Sequence, residues 1–260
     1  MKNFHSLSKV ERRAFPGAQA TYSDLPAIPR SETIWLTSND DHGDWITGLF
    51  AHGDPARKQC LIHFYAGNEN LGKMGSFIET CRSRGLSVLM FDYRGYGASH
   101  GRPRESAFYS DAKLIYDWLH ERYPDYDAVV SGRALGTAVA IYVAQHFDIR
   151  GLILLSPFTS MMEVVSDIFP KDEIVIEEAM PFVFDNLERI RKVRCPILMV
   201  TGAEDATAPP HMIEELEAAV RTSLTRLDVP GTGHQDLLER GGDVVWEGIF
   251  NFIDNLQGTS

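Results

Sequence analysis

From about Glu32 onward, short β-rich runs alternate with longer helical patterns, and this rhythm restricts the chain to parallel βαβ units with helices on both faces of a sheet. The strand candidates are Thr33–Thr37, Trp45–Ala51, Cys60–Tyr65, Ser87–Phe91, Ala128–Ser131, Gly151–Leu155, Ile197–Thr201 and Thr225–Val229. Several are nearly continuous apolar runs, as strands covered on both faces require. Phe108, Ala112, Ile115 and Leu119 recur at helical spacing, as do Val245, Ile249, Phe252 and Leu256, so each set predicts one buried helix face. Ala134 to Ala144 is small and apolar almost all round, which suits a central helix pressed against the sheet. No repeat or Gly/Ser linker interrupts the pattern, so one α/β domain over residues 1–260 is expected, with a mostly parallel eight-stranded sheet. Roughly Ser160 to Ile190 breaks the rhythm and reads as a small cap insertion.

Composition narrows the partners. With 25 Lys+Arg against 36 Asp+Glu, the net charge of −11 repels phosphate backbones, and no basic stripe offsets it, so nucleic acid is excluded as a partner. A 44% hydrophobic content fills a sizeable core, which excludes disorder for the bulk of the chain. Cys60, Cys81 and Cys195 are odd in number and lack metal-ligand spacing, so no disulfide framework, metal or cofactor is expected and a reducing cytoplasm fits. Met1 to Tyr22 mixes charged and polar residues without a continuous apolar stretch, so stable membrane insertion is not expected from it.

The chemistry is concentrated where the strand Ala-Val-Val-Ser131 runs into Gly132-Arg-Ala-Leu-Gly136. A nucleophile carried on a sharp strand-to-helix turn is written G-x-S-x-G, with glycines where a side chain would collide with the turn. Here both glycines stand and alanine occupies the nucleophile position. Downstream, Asp205 follows a strand in Thr201-Gly-Ala-Glu-Asp205, and His234 follows the last strand in Gly231-Thr-Gly-His234, the order and context of an acid and a base. Asp205 as a cap for a helix near Pro209, and His234 as an ordinary loop histidine, are the plainer alternatives. Asp92, Asp111 and Arg133 read as structural.

With Tyr65-Ala-Gly-Asn-Glu-Asn-Leu71, Phe91-Asp-Tyr-Arg-Gly-Tyr-Gly97 and Leu155-Ser-Pro-Phe-Thr-Ser160 in the same order, the chain resembles the α/β-hydrolases, and within them the acyl-protein depalmitoylase branch. The resemblance implies that position 134 is the serine nucleophile position, Asp205 the orienting acid and His234 the general base. It also implies an oxyanion hole built from the Leu135 amide and the Ala66, Gly67 and Asn68 loop, where Ala66 replaces the histidine usual in that family. Tyr65, Met161 and Met162 are the expected substrate-binding residues, and Val164, Val165, Ile168 and Phe169 extend an apolar acyl wall in the cap.

A methyl group cannot attack a carbonyl, so acyl-enzyme chemistry at Ala134 is excluded. The expected activity is therefore that of a serine esterase or thioesterase acting on a small-molecule or acyl substrate, present in a nucleophile-less form. An engineered serine-to-alanine change is favoured by the surviving acid, base and elbow glycines. A natural ligand-binding pseudoenzyme and an aminopeptidase-like amide hydrolase are the alternatives.

Overall fold

In a computed structural model of the chain, residues 15–19, 25–38, 43–168 and 182–256 are described. Two compact units emerge, one ending at Asp127 and one starting at Ala128. The expectation for Met1 to Tyr22 falls mostly outside the described residues, as does that for Phe169 in the cap.

The first unit holds β1 (Ser31–Thr37), β2 (Trp45–Ala51), β3 (Gln59–Phe64) and β4 (Ser87–Phe91), with α1 (Gly75–Ser83) and α2 (Glu105–Arg122). Antiparallel pairs β1–β2 and β2–β4 join a parallel pair β3–β4. Every residue of β3 and β4 is buried, as their largely apolar sequences require, and the polar Gln59, His63 and Ser87 are buried with the rest. On α2 the predicted stripe of Phe108, Ala112, Ile115 and Leu119 is buried throughout. Each large apolar side chain so covered contributes about 1.5–3 kcal/mol relative to exposure.

In the second unit β5 (Asp127–Arg133), β6 (Gly151–Leu155), β7 (Ile197–Gly202) and β8 (Leu224–Val229) pair in sequence order, all parallel. Between and after them run α3 (Leu135–His146), α4 (Met161–Ile168), α5 (Asn186–Ile190), α6 (Pro210–Ala219) and α7 (Leu237–Asn255). Nine of the twelve residues of α3 are buried, because Gly136, Ala138, Ala140 and Ala144 let the helix approach its surroundings closely. The strand expected to stop at Ser131 continues through Gly132 and Arg133, in register with Leu154 and Leu155, and delivers the chain directly to position 134. One helix departs from expectation: α7 is broken at Gly242 (φ 45°, ψ −127°), and Phe250 and Ile253 are buried where Phe252 was expected. Phe252 is half-buried, with its ring edge against Gly151.

Candidate active site

A single residue, Ala134, separates β5 from α3, and its backbone sits at φ 46°, ψ −116°. That conformation forces Cβ against the neighbouring carbonyl in an L-residue and costs about 1–3 kcal/mol. Local bonds hold it there. The Ala134 amide donates to the Leu155 carbonyl at 2.9 Å, while the Thr137 amide and hydroxyl donate to the Ala134 carbonyl at 2.9 and 2.6 Å. A Cβ at Gly132 would lie 2.3 Å from the Gly136 carbonyl oxygen, so the first glycine of the motif is required by the closeness of the turn itself. Leu135, the first residue of α3, presents its amide at the positive end of the helix, where helical geometry supplies no acceptor.

Asp205 and His234, 29 positions apart, meet at 2.8 Å between Oδ2 and Nδ1. An ionised carboxylate only accepts, so Nδ1 of His234 carries the proton and donates, leaving Nε2 as the basic nitrogen. The other carboxylate oxygen of Asp205 accepts the Thr207 and Ala208 amides at 2.9 and 2.8 Å. Burial works against the ionised form of Asp205. The His234 hydrogen bond and charge, with the Ala208 and Thr207 amides, outweigh it and hold the carboxyl below its ordinary range. Asp205 is not the cap of the following helix, for α6 starts at Pro210 behind Pro209 with no side-chain cap.

The loop carrying His234 is tied on both sides. Glu204 donates its amide to the Thr232 carbonyl at 2.9 Å, and Gly233 donates to Asp236 Oδ1 at 2.7 Å. Arg133, read from the sequence as structural, donates from Nη2 to the Gln235 carbonyl at 2.6 Å across 102 positions. Sequence reasoning had no signal for this bond. Another such feature is Ser156, fully buried at φ 50° directly after Leu155, whose hydroxyl has no partner among the described residues.

The expected oxyanion and substrate residues of the first unit sit in a closely hydrogen-bonded loop. Tyr65 has no exposed surface, and its hydroxyl donates to Asp92 at 2.9 Å, so it fastens the loop instead of facing a substrate. The Ala66 amide, expected as an oxyanion donor, donates to the Glu69 carboxylate at 2.8 Å. Gly67 accepts at its carbonyl from the Gly17 amide and the Tyr96 hydroxyl, and Asn68 is exposed, with its carbonyl accepting from Lys73 Nζ. Asp92 also receives the Leu71 and Ala98 amides, and Asp111 pairs with Arg94, both in structural roles.

Met161 is buried and Met162 half-buried on α4, where the Met161 amide donates to the Val183 carbonyl. Burial pushes the Cys60, Cys81 and Cys195 thiols up, which keeps them protonated and unreactive. Among the described residues, no group of three or more His, Cys, Asp or Glu side chains gathers to hold a metal, and no helix is long and apolar enough to cross a membrane.

A family described as serine aminopeptidase, S33, matches residues 55–181. Over 247 residues the chain is 36% identical to the uncharacterized protein Rv2307c of Mycobacterium tuberculosis, covering 92% of this chain and 85% of that one. It is 30% identical over 203 residues to the human alpha/beta hydrolase domain-containing protein 17B, covering 75% of this chain and 67% of that one. Among solved structures, an esterase of Pyrococcus furiosus, Pf2001, superposes with a TM-score of 0.72 at 18% identity over 91% of this chain and 97% of its own. An acetyl xylan esterase from Paenibacillus sp. R4 gives 0.67 at 17% identity over 91% and 87%. At such identities the likeness to the two esterases speaks for the fold alone.

Proposed function

Because the chain belongs to the α/β-hydrolase superfamily and has its fold, we propose that its site is that of a serine esterase or thioesterase whose nucleophile position is filled by alanine. The observation that carries this reading is the backbone of Ala134 at φ 46°, ψ −116°, a strained turn retained at the one position where the chemistry needs a nucleophile. The intact Asp205–His234 pair supports it, as a base with its acid already in place. In this reading the helix-start amide of Leu135 faces the developing negative charge, and Met161 and Met162 contribute to an adaptable apolar wall for the acyl group. As it stands, the chain forms no acyl-enzyme. We read Ala134 as a replacement for serine in an otherwise complete site, and the whole as one cytoplasmic domain needing no cofactor.

A second reading, ligand binding without turnover, is favoured by the Ala66 amide, which the Glu69 carboxylate already occupies. Changing Ala134→Ser separates the two. A serine adds one hydroxyl at a turn that already holds a β-carbon, so the variant is expected to fold and to hydrolyse acyl esters or thioesters. His234→Ala in that background abolishes the gain. A folded Ala134→Ser protein that binds acyl ligands but stays inert toward ester, thioester and amide panels selects the binding reading.

A further inference from the structure

We propose that Arg133 is a positioning residue for the base: its hydrogen bond to the Gln235 carbonyl sets His234 against Asp205. The proposal rests on the reading of Asp205 and His234 as acid and base.

The segment carrying His234 runs between two glycines with left-handed φ, Gly231 at 69° and Gly242 at 45°, conformations that glycine adopts without steric cost. Several of its bonds are internal. Gly233 donates to Asp236, and the Arg240 amide donates to the Asp236 carbonyl, which shapes the segment without fixing where it sits. On the Thr232 side, the Thr232 hydroxyl donates to the Val229 carbonyl and the Glu204 amide donates to the Thr232 carbonyl, joining the segment to β8 and to the loop of the acid. On the other side of His234, the Arg133 bond lands on the very next residue.

Arg133 is itself a firm anchor. It is the last residue of β5, in register with Leu155 of β6, and is 9% exposed. Its guanidinium makes a short bond of 2.6 Å, and a charged donor in a largely buried setting holds a carbonyl more tightly than a neutral one. The strand that delivers position 134 thus also grips the loop that delivers the base. A side chain at the elbow's second position therefore couples the two halves of the machinery, although it touches no reacting atom in this reading. A hydrogen bond such as Nδ1–H to Oδ2 weakens steeply with misalignment, so release of Gln235 is felt first at the His234–Asp205 bond.

The low-field Nδ1–H proton resonance of His234 reads that bond by NMR without any need for turnover. In the chain as it stands, Arg133→Met, which keeps the length and removes the donor, is expected to weaken or abolish the resonance while thermal unfolding stays cooperative. Arg133→Lys, which keeps a charge and a donor but lacks the planar fork, retains part of it. In the Ala134→Ser background, Arg133→Met lowers kcat by about ten- to a hundredfold with little change in KM, the signature of a displaced base with an intact binding site. Should Arg133→Met not fold, Arg133→Lys carries the same test, with a diminished resonance as the expected result. An undiminished resonance in every folded Arg133 variant overturns the proposal. If Ala134→Ser is inert, the acyl chemistry of the site fails separately, and the resonance still decides what Arg133 does.

Discussion

Two aspartates stand just past the ends of buried strands, Asp92 after β4 and Asp205 after β7, and each accepts at least three hydrogen bonds. Their partners separate them. Asp92 takes the Tyr65 hydroxyl and the Leu71 and Ala98 amides, donors that keep their protons across the physiological range. Burial, with the Asp92 carboxylate beside it, pushes the Tyr65 phenol well up and makes that donor permanent. Asp205 commits one oxygen to the Thr207 and Ala208 amides and gives the other to an imidazole, a partner whose second nitrogen can exchange a proton with a substrate. A carboxylate ringed by permanent donors is a fastener, and one that reserves an oxygen for a histidine orients a base. Burial and the number of bonds do not distinguish the two; the chemistry of the third partner does.

The sharpest way to break this contrast is to neutralise each carboxylate. In the Ala134→Ser background, Asp205→Asn is expected to lower kcat by about 10⁴-fold, because an amide no longer selects the tautomer that leaves Nε2 basic. Steady-state kinetics on an acyl ester measures it, and an unchanged rate would remove the distinction altogether. Next in size is Asp92→Ala, which strands two buried donors, the Tyr65 hydroxyl and the Leu71 amide, at about 1–3 kcal/mol each, together with the part-buried Ala98 amide, and so costs about 2 kcal/mol or more of stability. Urea unfolding at constant slope reads that loss; a change below about 1 kcal/mol would show that the first-unit loop does not depend on its fastener.

The smallest effect is a pH dependence. The Asp205 carboxyl is held below its unfolded value, so its contribution to stability is fully present above that value, about 3.9, and is lost as pH falls through the lower folded one. The stability gap between the unaltered chain and Asp205→Asn should therefore be largest near neutrality and close in acid below about pH 4. A gap that widens in acid would mean that the carboxyl is neutral in the folded protein.

How much of this was legible depended on whether the governing interaction is local. Burial of β3, β4 and the α2 stripe follows from the apolar spacing of each segment alone, since a strand or helix must hide its apolar face wherever it lies. The elbow was equally legible: Gly132 and Gly136 clash or fit within five residues, and the turn needs no distant partner. Phe252 shows the limit: Val245, Ile249 and Leu256 are buried as their spacing requires, yet Phe250 and Ile253 are covered beside them while Phe252 stays half-buried, a choice set by the surface on which the helix packs. By itself the sequence determined an α/β chain with an alanine at a nucleophile turn and with Asp205 and His234 in the order of an acid and a base. Only the tertiary structure decided that Arg133 grips Gln235, that Glu69 takes the Ala66 amide and that Tyr65 turns inward to Asp92. Each of those choices is a competition among donors and acceptors for partners within about 3 Å. Which groups come that close is set by how loops from separate strands are packed, a quantity that no local pattern of residues encodes.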